Sequence, residues 1–273
     1  MSAELSGKVA IVTGGGRGMG RSMALALARA GANVAITAAR NRYEMINVAE
    51  EAAKIQGAGK ILPVLADASS EANCQRAVNE AVHEFGGVHI LVNNAGRGMR
   101  FVSEKFFDTP TKFWETDANV WQMIVATNVN GPFYMARAAA PHMMRQRWGR
   151  IINISINHET MRRPGFSPYG PSKAALESET IIWSQDLAGT GVTVNALLPG
   201  GATLTGMIPP GFLDHLRTTL LDPAIMVPPL LWLASSVADA VTGKRVLANR
   251  WPSGADHPAA LDAAIEDAAW APP

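Results

Sequence analysis

Thr13-Gly14-Gly15-Gly16-Arg17-Gly18-Met19-Gly20 follows directly on the apolar run Val9 to Val12 and leads straight into Ser22, Met23, Leu25, Ala26 and Leu27, which recur at helical spacing before Gly31. A strand, a glycine turn and a helix in immediate succession decide the reading of the chain. Glycines suit such a turn because the backbone bends tightly, an anionic pyrophosphate must approach bare N–H groups, and the helix must pack close to its strand. Working outward, further short runs rich in Val and Ile occur at Val34 to Ile36, Ile61 to Leu65, Val88 to Val92, Ile151 to Ile154, Val192 to Leu198 and Arg245 to Leu247, with longer helical patterns between them. Alternation of this kind predicts an α/β fold: a doubly wound, mostly parallel sheet of about seven strands with helices on both faces.

The 273 residues, 48% hydrophobic, suffice for one large core. We expect a single domain over 1–250, with a Pro- and Gly-rich substrate-covering loop at 200–229, and a C-terminal extension at 251–273 with one short helix around Pro258 to Ala268. With 24 Lys plus Arg against 23 Asp plus Glu, charge is balanced and scattered, so no nucleic-acid partner is expected. No apolar stretch approaches membrane-spanning length, and the N-terminal run does not read as a secretory signal. A cytoplasmic location is expected. Cys74, the only cysteine, reads as a small buried hydrophobe.

In NAD binders an acid about 20 residues past the glycine turn holds the ribose hydroxyls. From Arg21 to Tyr43 there is neither Asp nor Glu, and the strand tip reads Thr37-Ala38-Ala39-Arg40-Asn41-Arg42. Nothing there repels a 2′-phosphate, and Arg17, Arg40 and Arg42 could bind one. This predicts NADP(H) in preference to NAD(H).

Tyr169-Gly170-Pro171-Ser172-Lys173 places a phenol and an ammonium four residues apart at the start of a predicted helix. Ionising a free tyrosine at neutral pH costs roughly 4 kcal/mol, and one ammonium about 4 Å away returns a similar amount at an effective dielectric near 20. The spacing therefore predicts a phenol made acidic by its lysine.

With these motifs assembled, the chain resembles the short-chain dehydrogenase/reductase family from Lys8 to about Leu247. The resemblance is carried in order by Thr13-Gly14-x-x-x-Gly18-x-Gly20, Asp67, Asn93-Asn94-Ala95-Gly96, Asn128, the Ser155 region, Tyr169, Lys173 and Pro199-Gly200. It implies that Asp67 and Asn93 border the adenosine, that Asn94 to Gly96 support the central strand, that Lys173 binds the nicotinamide ribose, and that Asn128 holds a water reaching Lys173. The expected cofactor-binding set is Thr13, Gly14, Gly16, Arg17, Gly18, Met19, Gly20, Arg40, Asp67, Ala68, Asn93, Ala95, Gly96, Tyr169, Lys173, Pro199, Gly200 and Thr203. The expected catalytic set is Tyr169, Lys173, Asn128 and Ser155, and no metal site is expected.

Three departures stand out. The substrate-orienting serine of the family lies thirteen residues before the tyrosine, where this chain has Ile156. Ser155, Asn157 or His158 must replace it, Ser155 being the choice made here, or the site works without that donor. Gly96 and Asn128 are 32 residues apart, longer than the family's usual spacing, and the aromatic insertion at 97–118 suits a pocket wall, a subunit interface or a locally packed excursion. The threonine after Pro199-Gly200 is out of step, with Thr203 and Thr205 flanking Leu204. The expected activity is hydride transfer between nicotinamide and a carbonyl or secondary alcohol carbon of a fairly apolar small molecule. The alternative is a non-catalytic NADP(H)-binding sensor of the same fold. The helices predicted at Phe133 to Met144 and Ala174 to Leu187 imply, through the resemblance, a homodimer or homotetramer.

Overall fold

The computed structural model describes residues 4–209, 218–252 and 261–269. Its eight strands are β1 (Val9–Thr13), β2 (Asn33–Ala38), β3 (Ile61–Leu65), β4 (Ile90–Asn93), β5 (Gly149–Ile154), β6 (Val192–Leu198), β7 (Lys244–Leu247) and β8 (Ile265–Asp267). They form one sheet in the order β3-β2-β1-β4-β5-β6-β7-β8. All pairings are parallel except the last, where β8 runs antiparallel to β7. The direction of winding reverses between β1 and β4, and in open sheets of this kind the crevice beyond the carboxyl ends of the strands at that point receives the ligand.

Burial on both faces is written into the strands. Ala10 and Val12 of β1, Val34 and Ile36 of β2, Ile90 and Val92 of β4, and Ile152 and Ile154 of β5 join one core. Their neighbours Ile11, Ala35, Leu91 and Ile151 join the other, as the two-residue period of a strand requires. The first core is closed by α1 (Gly18–Arg29), α2 (Arg42–Ala53) and α8 (Val227–Ala234). The second is closed by α3 (Glu71–Phe85) and α5 (Gly131–Gln146), and α7 (Tyr169–Asp186) lies along β6. The short helices α4 (Ala118–Val125) and α6 (His158–Met161) stand before α5 and α7. Local capping marks the boundaries: Asn41, Ser70 and Asp117 accept N–H bonds at the starts of α2, α3 and α4.

Two expectations change. Pro223 to Pro229 does not belong to a covering loop, because Pro223–Met226 forms a 3₁₀ turn and α8 begins at Val227 with its prolines in the first turn, where a missing N–H is harmless. Met226, Leu230 and Leu233 are buried against Met23 and Leu27 of α1. In the tail, the helix expected around Pro258 to Ala268 gives way at Ile265–Asp267 to β8, which pairs Arg245 with Glu266 and Val246 with Ile265. Residues 258–260 of that expectation, and 210–217 of the loop, lie outside the described residues. Cys74 is a free, buried thiol, and burial raises its pKa to about 11.

Candidate active site

At the crevice, Gly14 and Gly18 have φ of +65° and +54°, the left-handed region that glycine enters without strain. A Cβ on Gly20 would collide with the Gly14 carbonyl, so α1 can approach β1 only without a side chain there. Arg17 caps α1 in extended conformation, no side chain accepts from the first turn, and that turn holds no acid. Its N–H groups and positive dipole end are left for an anion. Thr13 ties the loop to β4, its Oγ1 accepting from the N–H groups of Asn94 (3.0 Å) and Ala95 (2.9 Å). Asn94 Nδ2 donates to the carbonyls of Thr13 (2.8 Å) and Gly14 (3.2 Å). Met19 packs inward on the first core.

Along the floor runs a buried polar row. Asn93 Nδ2 donates to Asn153 Oδ1, Asn153 Nδ2 donates to Thr180 Oγ1, each at 2.9 Å, and Thr180 Oγ1 donates to the Leu176 carbonyl of α7. Asn93 Oδ1 is buried with no partner among the described residues. Such an atom fits a donor on a bound ligand, because an unpaired buried acceptor costs free energy. Asp67 sits at the rim with Ala68, which packs against Gly131. Burial opposes the Asp67 charge, but the hydroxyl and N–H of Ser69 and the nearby Arg97 and Arg40 outweigh it and hold the carboxyl below its usual range.

Asn128 lies in a single π-helical turn, Ala126–Asn130, between α4 and α5. Such turns often mark functional positions. Its Oδ1 accepts from the Arg97 N–H (2.8 Å), and its Nδ2 donates to the Arg97 carbonyl (2.9 Å) and Ser172 Oγ (3.0 Å). Ser172 Oγ in turn donates to the Tyr169 carbonyl. Asn128 thus joins the strip after Gly96 to the first turn of α7. Tyr169 opens that helix, packed on Met99, Phe106 and Phe166. Lys173, one turn on, is only 4% exposed, and its Nζ donates to the Ile154 carbonyl at 2.7 Å. Burial lowers the lysine pKa to about 8, with Glu177 pulling the other way.

A family model for the short chain dehydrogenases matches residues 8–211. The chain belongs to the short-chain dehydrogenase/reductase family. It is 36% identical over 200 residues, 72% of this chain and 71% of the relative, to a short-chain type dehydrogenase/reductase of Picea abies. It is 34% identical over 211 residues, 77% of each chain, to a D-beta-hydroxybutyrate dehydrogenase of Rhizobium meliloti. A solved dehydrogenase/reductase of Sinorhizobium meliloti 1021 superposes with a TM-score of 0.77 at 32% identity, covering 90% of this chain and 94% of that one. As a short-chain dehydrogenase/reductase the protein is an oxidoreductase of a family that uses a nicotinamide cofactor and acts on small molecules. The bare-backbone cradle and the uncapped α1 terminus fit the pyrophosphate of such a cofactor. No described helix is long and apolar enough to cross a membrane, and no group of three His, Cys, Asp or Glu among the described residues is placed to hold a metal.

Several residues of this short-chain dehydrogenase lie elsewhere than the sequence suggested. Ser155 donates to Glu177 Oε1 at 2.6 Å, Asn157 caps α6 by accepting from Thr160, and His158 Nδ1 faces Arg245. Each replacement for the serine missing at position 156 therefore already has a partner other than Tyr169. Thr203 is buried with its hydroxyl on the Gly201 carbonyl (3.3 Å), whereas Thr205 lies against Gly18 of the glycine turn. Pro199 is buried, and Gly200, at φ +83°, leaves no room for a Cβ beside Asn249. In the insertion Phe106 packs toward Tyr169, while Phe113 and Trp114 form an exposed edge-to-face pair. Arg17 and Arg40 are both exposed, and Arg17 pairs at 3.7 Å with Glu44 of α2, the acid that directly follows the acid-free stretch Arg21 to Tyr43. Ser172, Asn153, Thr180, Arg97 and Glu177 were not singled out from sequence. Only Glu177 left a signal, as an acid four residues after Lys173 on the same helical face.

Proposed function

We propose that this protein is an NADP(H)-dependent reductase or dehydrogenase acting on a carbonyl or secondary alcohol carbon of a fairly apolar small molecule, with Tyr169 as proton donor or acceptor. The observation that carries this is Tyr169 at the mouth of α7, walled by Met99, Phe106 and Phe166, with the buried Lys173 amine one turn behind. Thr13, Gly14, Gly16, Gly18, Gly20, Asp67, Asn93, Ala95 and Gly96 would hold the dinucleotide, Arg40 and Arg17 its 2′-phosphate, and Lys173 its ribose. When bound, NADP(H) supplies or accepts the hydride.

The phenol differs from expectation. Burial pushes Tyr169 up to about 12, and the Lys173 amine is turned to the Ile154 carbonyl and is itself drawn toward neutrality by burial. A neutral phenol is the form that hands a proton to a carbonyl oxygen in the reductive direction. In the opposite direction a positive charge beside the phenol is required before it can accept a proton. Asn128 holds the first turn of α7 through Ser172, fixing where the phenol points. The outward Phe133 of α5 and Ile182 of α7 support a homodimer or homotetramer built on those helices, and the free thiol of Cys74 suits the cytoplasm.

A non-catalytic NADP(H) sensor is the second reading, favoured by the engagement of Ser155, Asn157 and His158 elsewhere. A panel of carbonyl substrates with NADPH separates the two. Turnover that falls by about 10²–10⁴-fold in Tyr169→Phe while NADPH still binds supports the enzyme. NADPH binding without turnover of any panel member supports the sensor.

A further inference from the structure

Behind the catalytic pair lies a charged cluster that the reaction does not use. Glu177, fully buried on α7, stands one helical turn beyond Lys173 on the same face. Ser155 Oγ donates to its Oε1 at 2.6 Å and the Ala269 N–H to its Oε2 at 3.0 Å. Arg245 Nε lies 3.3 Å from Oε1, and His158 Nε2 3.7 Å from Oε2. Every neighbour is a donor or a potential cation, the surroundings a buried carboxylate requires. Arg245 is 2% exposed and shared, donating also to the Ile156 carbonyl (2.9 Å) and to Glu266 Oε2 of β8 (3.2 Å). Ala269, the residue whose N–H reaches Glu177, has φ +55°, a conformation that non-glycine residues rarely adopt. A backbone held there against its preference is fixed by its surroundings.

The charges around His158 and Glu177 come from each neighbouring element: Lys173 on α7, His158 on α6 and Arg162 just after it, Arg245 on β7 and Glu266 on β8, with Arg250 paired to Glu266 behind. Of the two acids, Glu177 lies four residues from Lys173 on the same face of α7, and its charge opposes the lowering of the lysine pKa by burial. We propose that Glu177 is a positioning residue for Lys173, keeping that side chain an ammonium in the cleft. This rests on the role given to Lys173 above, but its test does not depend on turnover.

Protein carrying ¹³C-labelled lysine is titrated by NMR, with the Lys173 signal assigned by its loss in Lys173→Met. Glu177→Gln is expected to lower the Lys173 midpoint by about one unit, tenfold less ammonium at a given pH. Ser155→Ala, which removes a hydrogen bond but no charge, is expected to leave the midpoint in place. The alkaline limb of kcat moves with the midpoint. An unmoved midpoint in folded Glu177→Gln, or an equal shift in Ser155→Ala, overturns the proposal. Should Glu177→Gln not fold, Glu177→Asp withdraws the charge by one bond and is expected to give a smaller shift of the same sign, and no shift overturns the proposal. If no substrate is ever turned over, the proposed function fails while this titration still decides the role of Glu177.

Discussion

Arg17 and Glu44 face one another at 3.7 Å across the lip of the glycine turn, so the arginine nearest the pyrophosphate cradle already has an anionic partner. A 2′-phosphate must compete with that carboxylate for the guanidinium. Glu44→Gln is therefore expected to tighten NADPH binding about fivefold, an exposed-pair energy of roughly 1 kcal/mol, with NADH unaffected. Fluorescence titration of both cofactors checks it, and parallel changes for the two would refute it.

Arg40 makes no ion pair among the described residues, and its exposed side chain is expected to supply most of the discrimination. Arg40→Ala should raise KM for NADPH several-fold and leave that for NADH nearly unchanged. Equal effects on the two cofactors would remove the 2′-phosphate from its role.

Lys173 has a folded pKa of about 8, lowered by burial from 10.5. Its ammonium is present below that value and lost above it, so kcat is expected to decline above about pH 8, approaching about tenfold per pH unit as for loss of a single proton. A profile flat to pH 10 would contradict the assignment. The sign for stability is opposite: the unfolded chain binds the proton up to 10.5, so between about 8 and 10.5 this group makes the folded state relatively more stable as pH rises.

Glu179, also on α7, has one carboxyl oxygen buried without a partner among the described residues, and burial raises its pKa to about 7. Above that pH the fold carries a charge on a half-buried carboxylate, one oxygen of which has no partner among the described residues. Glu179→Gln is expected to raise Tm by a few degrees at pH 8. The gain should shrink toward pH 5, where the native side chain is protonated. Thermal scans at the two pH values measure it, and a pH-independent effect would argue against burial of the charge as its origin.

Ile156 stands where the family's orienting serine is expected, and Ser155 is bonded to Glu177. Ile156→Ser is expected to increase turnover of a carbonyl substrate, whereas Ser155→Ala should leave turnover within a few-fold. The reverse pattern would return Ser155 to the substrate.

Why some of this was readable and some was not has a physical basis. The parallel sheet was legible because strands buried on both faces read as near-continuous apolar runs, and the glycine turn because glycine enters φ near +60° without strain beside an approaching helix. Tyr169 and Lys173 were legible because spacing along a helix fixes geometry locally. The protonation state of that pair was not, since it depends on where the lysine amine turns, and the Ile154 carbonyl that receives it comes from another strand. Glu44 escaped because its reach toward Arg17 depends on how α2 packs rather than on its place in the sequence. The strand at Ile265–Asp267 was read as helix because an Ala-rich, acidic segment favours helix by propensity, and pairing with β7 overrides that preference.

The row Asn93, Asn153 and Thr180 acts as an index mark through the interior. A slip of either central strand by one residue would turn an amide onto the wrong side of the sheet and strand three polar groups in oil-like surroundings. Apolar replacements there would have to be made together, because any one alone leaves its neighbour without a mate. Whoever redesigns this core inherits a three-letter word that can be rewritten whole but not misspelled.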